Sequence, residues 1–483
     1  MTVTQVPFPS PSTLKKFPHI HDDPSTMSHA LDPFTITTST GFLPYQTAPV
    51  ELPAAFEPLF TLINRLPVVK ADGTPGLLAT YELGHAVDTE LPDLTDEIPK
   101  LVLPDGSPDK SLLLLYSVTT PSWPPPISSS LAGRTGTRTP TEAMDLAAPF
   151  SLSVLLVPCI AVRRYSLDLP PFMSYAASYA LFNYTVADKS KGLEEYSNLR
   201  LIRAFERGLS PKSSEAGFIL THVDMVKETG PLVNGVLRVI DTIEQRGSRA
   251  EINDGFREIL RSMEKIEASM EEMWANSKPS DYLSFRVFIF GITNQSMFPN
   301  GVIYDGVLDN KPLEFRGESG ANDSIIPMLD HLCEIPMPST PLTKILHEFR
   351  AYRPLPHREF LTYIREKAET IGVRKSSTTS AASAGATGSS HASTSFVVLR
   401  TPTATGGSPI VTWLPNQLFA VMELMIIIYD THLAPKQGAA IVHSEQDLIA
   451  SHRKQVEPMM ENVRDQKEKL EKEVEKWCKE RGV

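Results

Sequence analysis

EINDGFREILRSMEKIEASMEEMWAN, residues 251–276, decides the fold class. Its apolar side chains Ile252, Phe256, Ile259, Met263, Ile266, Met270 and Met273 step alternately by four and three residues. That spacing places them on one face of an α-helix, and the charged residues between them fall on the other. The segment predicts an amphipathic helix of about seven turns, closed by Pro279. Upstream, GFILTHVDMV (217–226) reads as a buried helix carrying His222 and Asp224, and PFMSYAASYALFNYTVA (171–187) has no charge before Asp188, so a second buried helix is expected there. Downstream, SFRVFIFGI (284–292) is apolar except for Arg286, and periodicity leaves helix and strand open. A guanidinium inside such a run must meet an anion, because an unpaired buried charge is very costly. The partner is either an internal carboxylate or a ligand carboxylate, which the planar fork of arginine suits.

Working outward, residues 51–103 hold short apolar clusters such as LPAAFEPLFTLINRLP and LLATYELGHAV, short helices broken by proline. SLLLLYSV adds another that ends near Pro121. The domain reading is a flexible leader at 1–31, a small N-terminal domain at 32–120, a low-complexity loop at 121–148 and a large helical domain at 149–374. A Ser/Ala/Thr/Gly insertion at 375–396, the continued large domain at 397–450 and a charged helix at 451–483 follow. In that last segment Val456, Met460, Val463, Leu470, Val474 and Trp477 form a thin stripe broken by Lys467, as in a solvated helix docked by one edge. The HIH pair at His19 and His21 reads as solvated tail.

Composition narrows the function. The 483 residues carry 46 Lys+Arg against 57 Asp+Glu, a net charge of −11, which argues against a nucleic-acid partner. The length suggests about three domains, or one large domain with appendages. Three scattered cysteines, Cys159, Cys333 and Cys478, form neither a disulfide framework nor a CxxC zinc site. The apolar run from Pro149 to Val162 is too short for a bilayer span, and the first residues hold no apolar signal core. A soluble, cytoplasmic, monomeric protein with no membrane partner is expected. No phosphate-binding loop, GxGxxG, GxSxG or HExxH motif occurs.

Several long motifs, in order, resemble the indoleamine 2,3-dioxygenase family in its fungal branch. They are LPPFMSYAASYALFNY (169–184), GVIYDG with LEFRGESGANDSIIP (301–327), EFRAYRPLPHREFL (348–361) and TGGSPIVTWLPNQL (405–418). The resemblance runs from about Gly41 to about Leu418. It implies an all-α fold, with a small N-terminal helical domain capping a large helical haem-binding domain. It also implies haem b as cofactor, L-tryptophan or a related indole and O2 as substrates, and insertion of both oxygen atoms into the indole C2–C3 bond to give N-formylkynurenine, on the route to NAD. Matched position by position, Tyr175 and Ser178 line the pocket on one distal segment, and Phe218, Ile219 and His222 on the next. Arg286 pairs with the substrate carboxylate. Ser319, Gly320 and Ala321 form the loop over the haem edge, with His222 and Ser319 as the catalytic candidates. His357 matches a signature histidine that is structural rather than a ligand.

Three departures stand out. Asp281 and Tyr282 occupy the place of an aromatic pair, leaving Tyr282 as the substrate-binding member. The loop continues Asn322-Asp323-Ser324 rather than Gln-Ser-Ser. The proximal iron ligand has two candidates: His391 by order and spacing, and His432 by its apolar helical context in MIIIYDTHLAP. The alternative to an enzyme is a non-catalytic binding or regulatory paralogue on the same scaffold.

Overall fold

The computed structural model describes residues 20–119 except Tyr81, 174–289, 291–293, 300–303, 311–317, 320–335, 341–373, 457–458, 460–469 and 471–472. The expected loop at 121–148, the insertion at 375–396 and the continued domain at 397–450 lie outside them. The fold is all-α, with two short two-stranded ribbons as its extended elements among the described residues.

The deciding stretch forms α7, Arg249–Glu271, about six turns long. A capping box starts it: Glu251 N donates to Ser248 Oγ (3.3 Å), and Glu251 Oε2 accepts from Ser248 N (2.7 Å). Ile252, Phe256, Ile259, Met263 and Ile266 are buried as the stripe requires. The expected seventh turn is separate: the chain breaks at Glu272 and resumes as α8, Met273–Asn276. Pro279 does not close α7 but opens α9, Pro279–Arg286, where its fixed φ and missing N–H suit a first helical position. The stretch left open at 284–289 is therefore the end of a helix followed by a tighter turn at Val287–Ile289.

In chain order the earlier helices are α1 (Glu57–Arg65), α2 (Leu77–Thr80), α3 (Leu83–Glu90), α4 (Lys110–Thr119), α5 (Ser214–Lys227) and α6 (Thr229–Glu244). The later ones are α10 (Ile325–Leu332), α11 (Pro341–Arg350) and α12 (Leu355–Ile371). α7 packs along α6 and α5, and α12 packs on α10 and α6. Gly235 of α6 and Gly255 of α7 set the first crossing. A Cβ on Gly255 would lie 2.7 Å from the Val239 side chain, and one on Gly235 2.9 Å from that of Ile259, so a side chain at either position would force its neighbour to shift. One apolar cluster runs from Phe34 through the N-terminal helices to Val373.

Two expectations are corrected. The helix expected over 171–187 is a single wide turn at Tyr175–Tyr179, capped by Ser174. The chain then becomes β1, Tyr184–Val186, paired antiparallel with β2, Leu199–Leu201. The segment is buried as expected, but Asn183 diverts it: its amide donates to Arg203 O (3.0 Å) and accepts from Arg203 N (2.9 Å). Phe182, Tyr184, Thr185 and Val186 also favour extended backbone. The leader's last dozen residues, 20–31, are seated on the fold: Met27 is buried, Asp23 caps the turn Pro24–Thr26, and Tyr45 Oη donates to Ser28 O (3.1 Å). At the other end, Met460 is buried and Val463 half-buried amid exposed charged neighbours, one docked edge of a helix. No described helix is long and apolar enough to cross a membrane.

Candidate functional site

Four elements converge: the turn at 175–179, α5, the end of α9, and the loop at 320–324. α5 is started by Ser213, whose hydroxyl accepts from Ala216 N (3.1 Å), and it presents Phe218 and His222 one turn apart on a shared face. Phe218 is the hub of an aromatic cluster. Its ring lies 4.9 Å from His222, 5.4 Å from Tyr282 and 5.6 Å from Phe285, with Tyr282 edge-on to Phe285 at 5.3 Å. Tyr175 meets His222 edge-on at 5.7 Å. Edge-to-face and tilted arrangements of this kind suit the ring quadrupoles.

The tautomer of His222 follows from its one backbone contact. Nδ1 is 2.7 Å from Phe218 O, and a carbonyl only accepts, so Nδ1 carries the proton. Burial holds its pKa below the ordinary histidine value, against the opposing pull of that bond, so the ring is neutral near pH 7. Nε2 is left with a lone pair. It lies beside Gly320, where an added Cβ would come within 3.9 Å of it.

Arg286, at the end of α9, is only 2% exposed. Burial lowers its pKa, and the neighbouring Tyr282 phenol partly offsets this. Tyr282 is raised by the same burial. The arginine thus sits at the foot of the aromatic cluster with a phenol beside it. Asp281, which stands in the place of one member of the aromatic pair, turns the other way. Its Oδ2 accepts from Ser214 Oγ (2.7 Å) at the positive N-terminal end of α5, and that bond holds its pKa low.

Other expected residues take supporting places. Ser178 Oγ donates to Ser174 O (3.1 Å) and accepts from Ser174 N (2.7 Å), so its hydroxyl closes the turn. Ile219 is fully buried in the core behind Phe218. His357 is buried between Phe34 and Phe42, with Nδ1 3.1 Å from Ser324 Oγ. Ser319, the side chain of Ala321, His391 and His432 lie outside the described residues.

Three residues were missed by sequence reasoning. Phe285 belongs to the cluster; its place in SFRVFIFGI was on the page but gave no direction. Arg353, in the quoted EFRAYRP motif, anchors the loop: Nε donates to Asn322 O (3.0 Å) and Nη2 to Asp323 O (2.9 Å). Glu215, buried at the start of α5, accepts from Phe205 N and Glu206 N and had no sequence signal at all.

α5 is placed by a close approach. A Cβ on Gly217 would fall 1.8 Å from Asn276 O in α8. Gly217→Ala is therefore expected to cost about 2 kcal/mol, as overpacking typically does. It should also displace the next residue, Phe218. Chemical denaturation with ligand titration checks both effects.

A buried guanidinium, an aromatic cluster and a neutral acceptor nitrogen suit a flat aromatic ligand carrying an anionic group and an N–H. The indoleamine 2,3-dioxygenase family model matches residues 141–387, just over half of the chain. Mouse indoleamine 2,3-dioxygenase 2 is 28% identical over 208 residues, 43% of this chain and 49% of the mouse protein. Human indoleamine 2,3-dioxygenase 2 is 25% identical over 348 residues, 71% and 75% of the two chains. The Saccharomyces cerevisiae enzyme is 29% identical over 231 residues, 44% and 49%. The chain thus spans about half the length of the mouse and yeast relatives that it matches. The chain belongs to the indoleamine 2,3-dioxygenase family.

The family's enzymes are haem-dependent. No cluster of three or more His, Cys, Asp or Glu fit to hold a bare metal ion occurs among the described residues. Haem needs none, since the porphyrin supplies four ligands and the protein one axial imidazole. Among the described residues the chemistry is compatible with a flat macrocycle nearby: the pocket wall is aromatic, and His222 is neutral with Nε2 beside Gly320.

Proposed function

We propose that this chain is a haem-dependent dioxygenase that inserts both atoms of O2 into the indole C2–C3 bond of L-tryptophan to give N-formylkynurenine, the entry to the kynurenine route and NAD synthesis. The observation that carries the reading is Arg286, buried at the foot of the Phe218–Tyr282–Phe285 cluster with the lone pair of His222 on the neighbouring helix. The guanidinium binds the substrate carboxylate. Phe218 and Tyr282 hold the indole ring, with Tyr175, Ser178 and Ile219 forming or backing the wall. Nε2 of His222 accepts from the indole N–H and orients C2 and C3. Gly320, Ala321 and Ser319 supply backbone N–H groups and a hydroxyl to the substrate and a haem propionate. Haem b, held through iron by His391 (alternatively His432), supplies the oxygen activation when bound. The protein acts as a monomer in the cytoplasm.

Reconstitution of the full chain with haem tests this. A Soret band of histidine-ligated type, lost in His391→Ala or His432→Ala alone, with tryptophan converted to N-formylkynurenine, supports the reading. Stoichiometric haem failing to load sinks it and favours the non-catalytic paralogue. His222→Ala is expected to lower kcat/KM about tenfold, the worth of one oriented hydrogen bond to substrate, with haem content unchanged. Loss of haem in that variant would instead make His222 a ligand.

A further inference from the structure

The loop departure Asn322-Asp323-Ser324 puts a carboxylate where the family's pattern has a serine. That carboxylate is bound at both oxygens. Oδ1 accepts from Ile325 N (2.7 Å) at the start of α10, and Oδ2 accepts from the Tyr175 hydroxyl (3.4 Å), across 148 residues of sequence. Tyr175 is 3% exposed, and its ring meets His222 edge-on. We propose that Asp323 is a positioning residue of the pocket: it ties the Tyr175 phenol to the head of α10 and so fixes the wall against which His222 is held.

The loop is built to hold that carboxylate still. Arg353 grips the carbonyls of Asn322 and Asp323, Asp323 N donates to Gly320 O (3.0 Å), and Ser324 Oγ is bonded to His357. The same turn carries Gly320, beside Nε2 of His222, so one rigid piece touches both Tyr175 and His222. A serine at 323 has its oxygen one bond nearer the backbone and offers a single acceptor. It can cap α10 or approach Tyr175, but not both at once.

The charged and titratable groups around Asp323 are Arg353 and Tyr175, with Arg350 beside Arg353 and His357 behind Ser324. Burial raises the Asp323 pKa to about 6, against the opposing pulls of Ile325 N–H, Arg353 and Tyr175. The anionic acceptor is therefore present above about pH 6 and lost below it. Stability moves the other way. A carboxyl whose folded pKa is raised contributes most below its unfolded value near 3.8, and that contribution is lost as pH rises through 6.

The inference rests on the dioxygenase reading for its kinetic consequence but not for the bond itself, and the test separates the two. Full-length, haem-loaded wild type, Asp323→Asn, Asp323→Ser, Tyr175→Phe and Tyr175→Phe/Asp323→Asn are compared between pH 5 and 8, in tryptophan turnover and in thermal unfolding. With equal Soret absorbance, Asp323→Asn and Tyr175→Phe should each lower kcat/KM about tenfold at pH 7.5. The double variant should lose no more than either single one. The acid limb of the wild-type profile near pH 6 should vanish in Asp323→Asn. Additive losses, wild-type kinetics in Asp323→Ser, or an unchanged acid limb would overturn the proposal. If the wild type loads haem yet turns nothing over, the dioxygenase reading fails, and the unfolding midpoints decide alone. Non-additive shifts for the pair then uphold the tie, and additive shifts refute it.

Discussion

Arg286→Ala is expected to raise the KM for tryptophan about a hundredfold, with kcat lowered much less and haem loading intact. Removing one partner of a buried, hydrogen-bonded charge pair typically costs 2–5 kcal/mol, and about 2.7 kcal/mol corresponds to a factor of a hundred. The guanidinium is 2% exposed and sits at the end of α9, so its bond to the substrate carboxylate would be made away from bulk water. The carboxylate is remote from the reacting C2–C3 bond, so the interaction is equally strong in ground and transition states and appears in KM. Arg286→Lys keeps the charge but not the planar fork, and should fall between the two. Steady-state kinetics with matched haem content are the measurement. An unchanged KM in Arg286→Ala would remove this residue from substrate binding, and with it the observation on which the proposed function stands.

Glu215→Ala is expected to destabilise the fold by about 3 kcal/mol, within the range for breaking a buried charged network. Glu215 is 1% exposed. Its Oε1 accepts from Phe205 N (2.9 Å), and its Oε2 accepts from Phe205 N (3.0 Å) and Glu206 N (2.7 Å). Those two residues in turn accept from Val68 N and Val69 N, both at 2.8 Å, which fastens the N-terminal helical region to α5. Arg203, whose guanidinium lies 5.4 Å over the Phe205 ring and donates to Ser178 O, links the same joint to the pocket turn. Without the carboxylate two buried N–H groups lose their acceptor. Burial raises the Glu215 pKa to about 7, against the pull of those N–H donors. Its linkage contribution is therefore full below about pH 4.5 and lost as pH rises through 7. Urea denaturation across that window should show stability falling with pH in the wild type, and a flatter dependence in Glu215→Gln. Equal slopes would mean that another group titrates there.

The helices that were legible in the sequence are those whose two faces differ. α7 announced itself because a charged face alternates with an apolar one over 23 residues, and α5 because its apolar run is marked by His222 and Asp224 at helical spacing from Phe218 and Leu220. Residues 171–187 were misread for the opposite reason. A stretch without charged residues gives little periodicity to detect, and its backbone was turned by Asn183 bonding to Arg203, 20 residues away. The site was legible to the same degree. His222, Phe218, Tyr282 and Arg286 could be picked from motif positions, and the structure brings them together on two adjoining helices. What Asp281 does could not be read. As a residue type it looked like an intruder among aromatic rings, yet it caps the approach to α5 through Ser214, 67 positions earlier.

By itself, then, the sequence determined the helical class, the family and the candidate polar groups of the pocket, because helix periodicity and motif order are local properties of the chain. Tertiary structure alone decided the protonated nitrogen of His222, the outward turn of Asp281, the tie from Asp323 to Tyr175 and the burial of Glu215 under the backbone of residues 205–206. Each of these depends on which dipole or charge lies within about 3 Å, the range over which hydrogen bonds act. The His222 bond lies within one helical turn and the Glu215 bonds span nine and ten residues, but the Asp281 and Asp323 bonds join segments 67 and 148 residues apart.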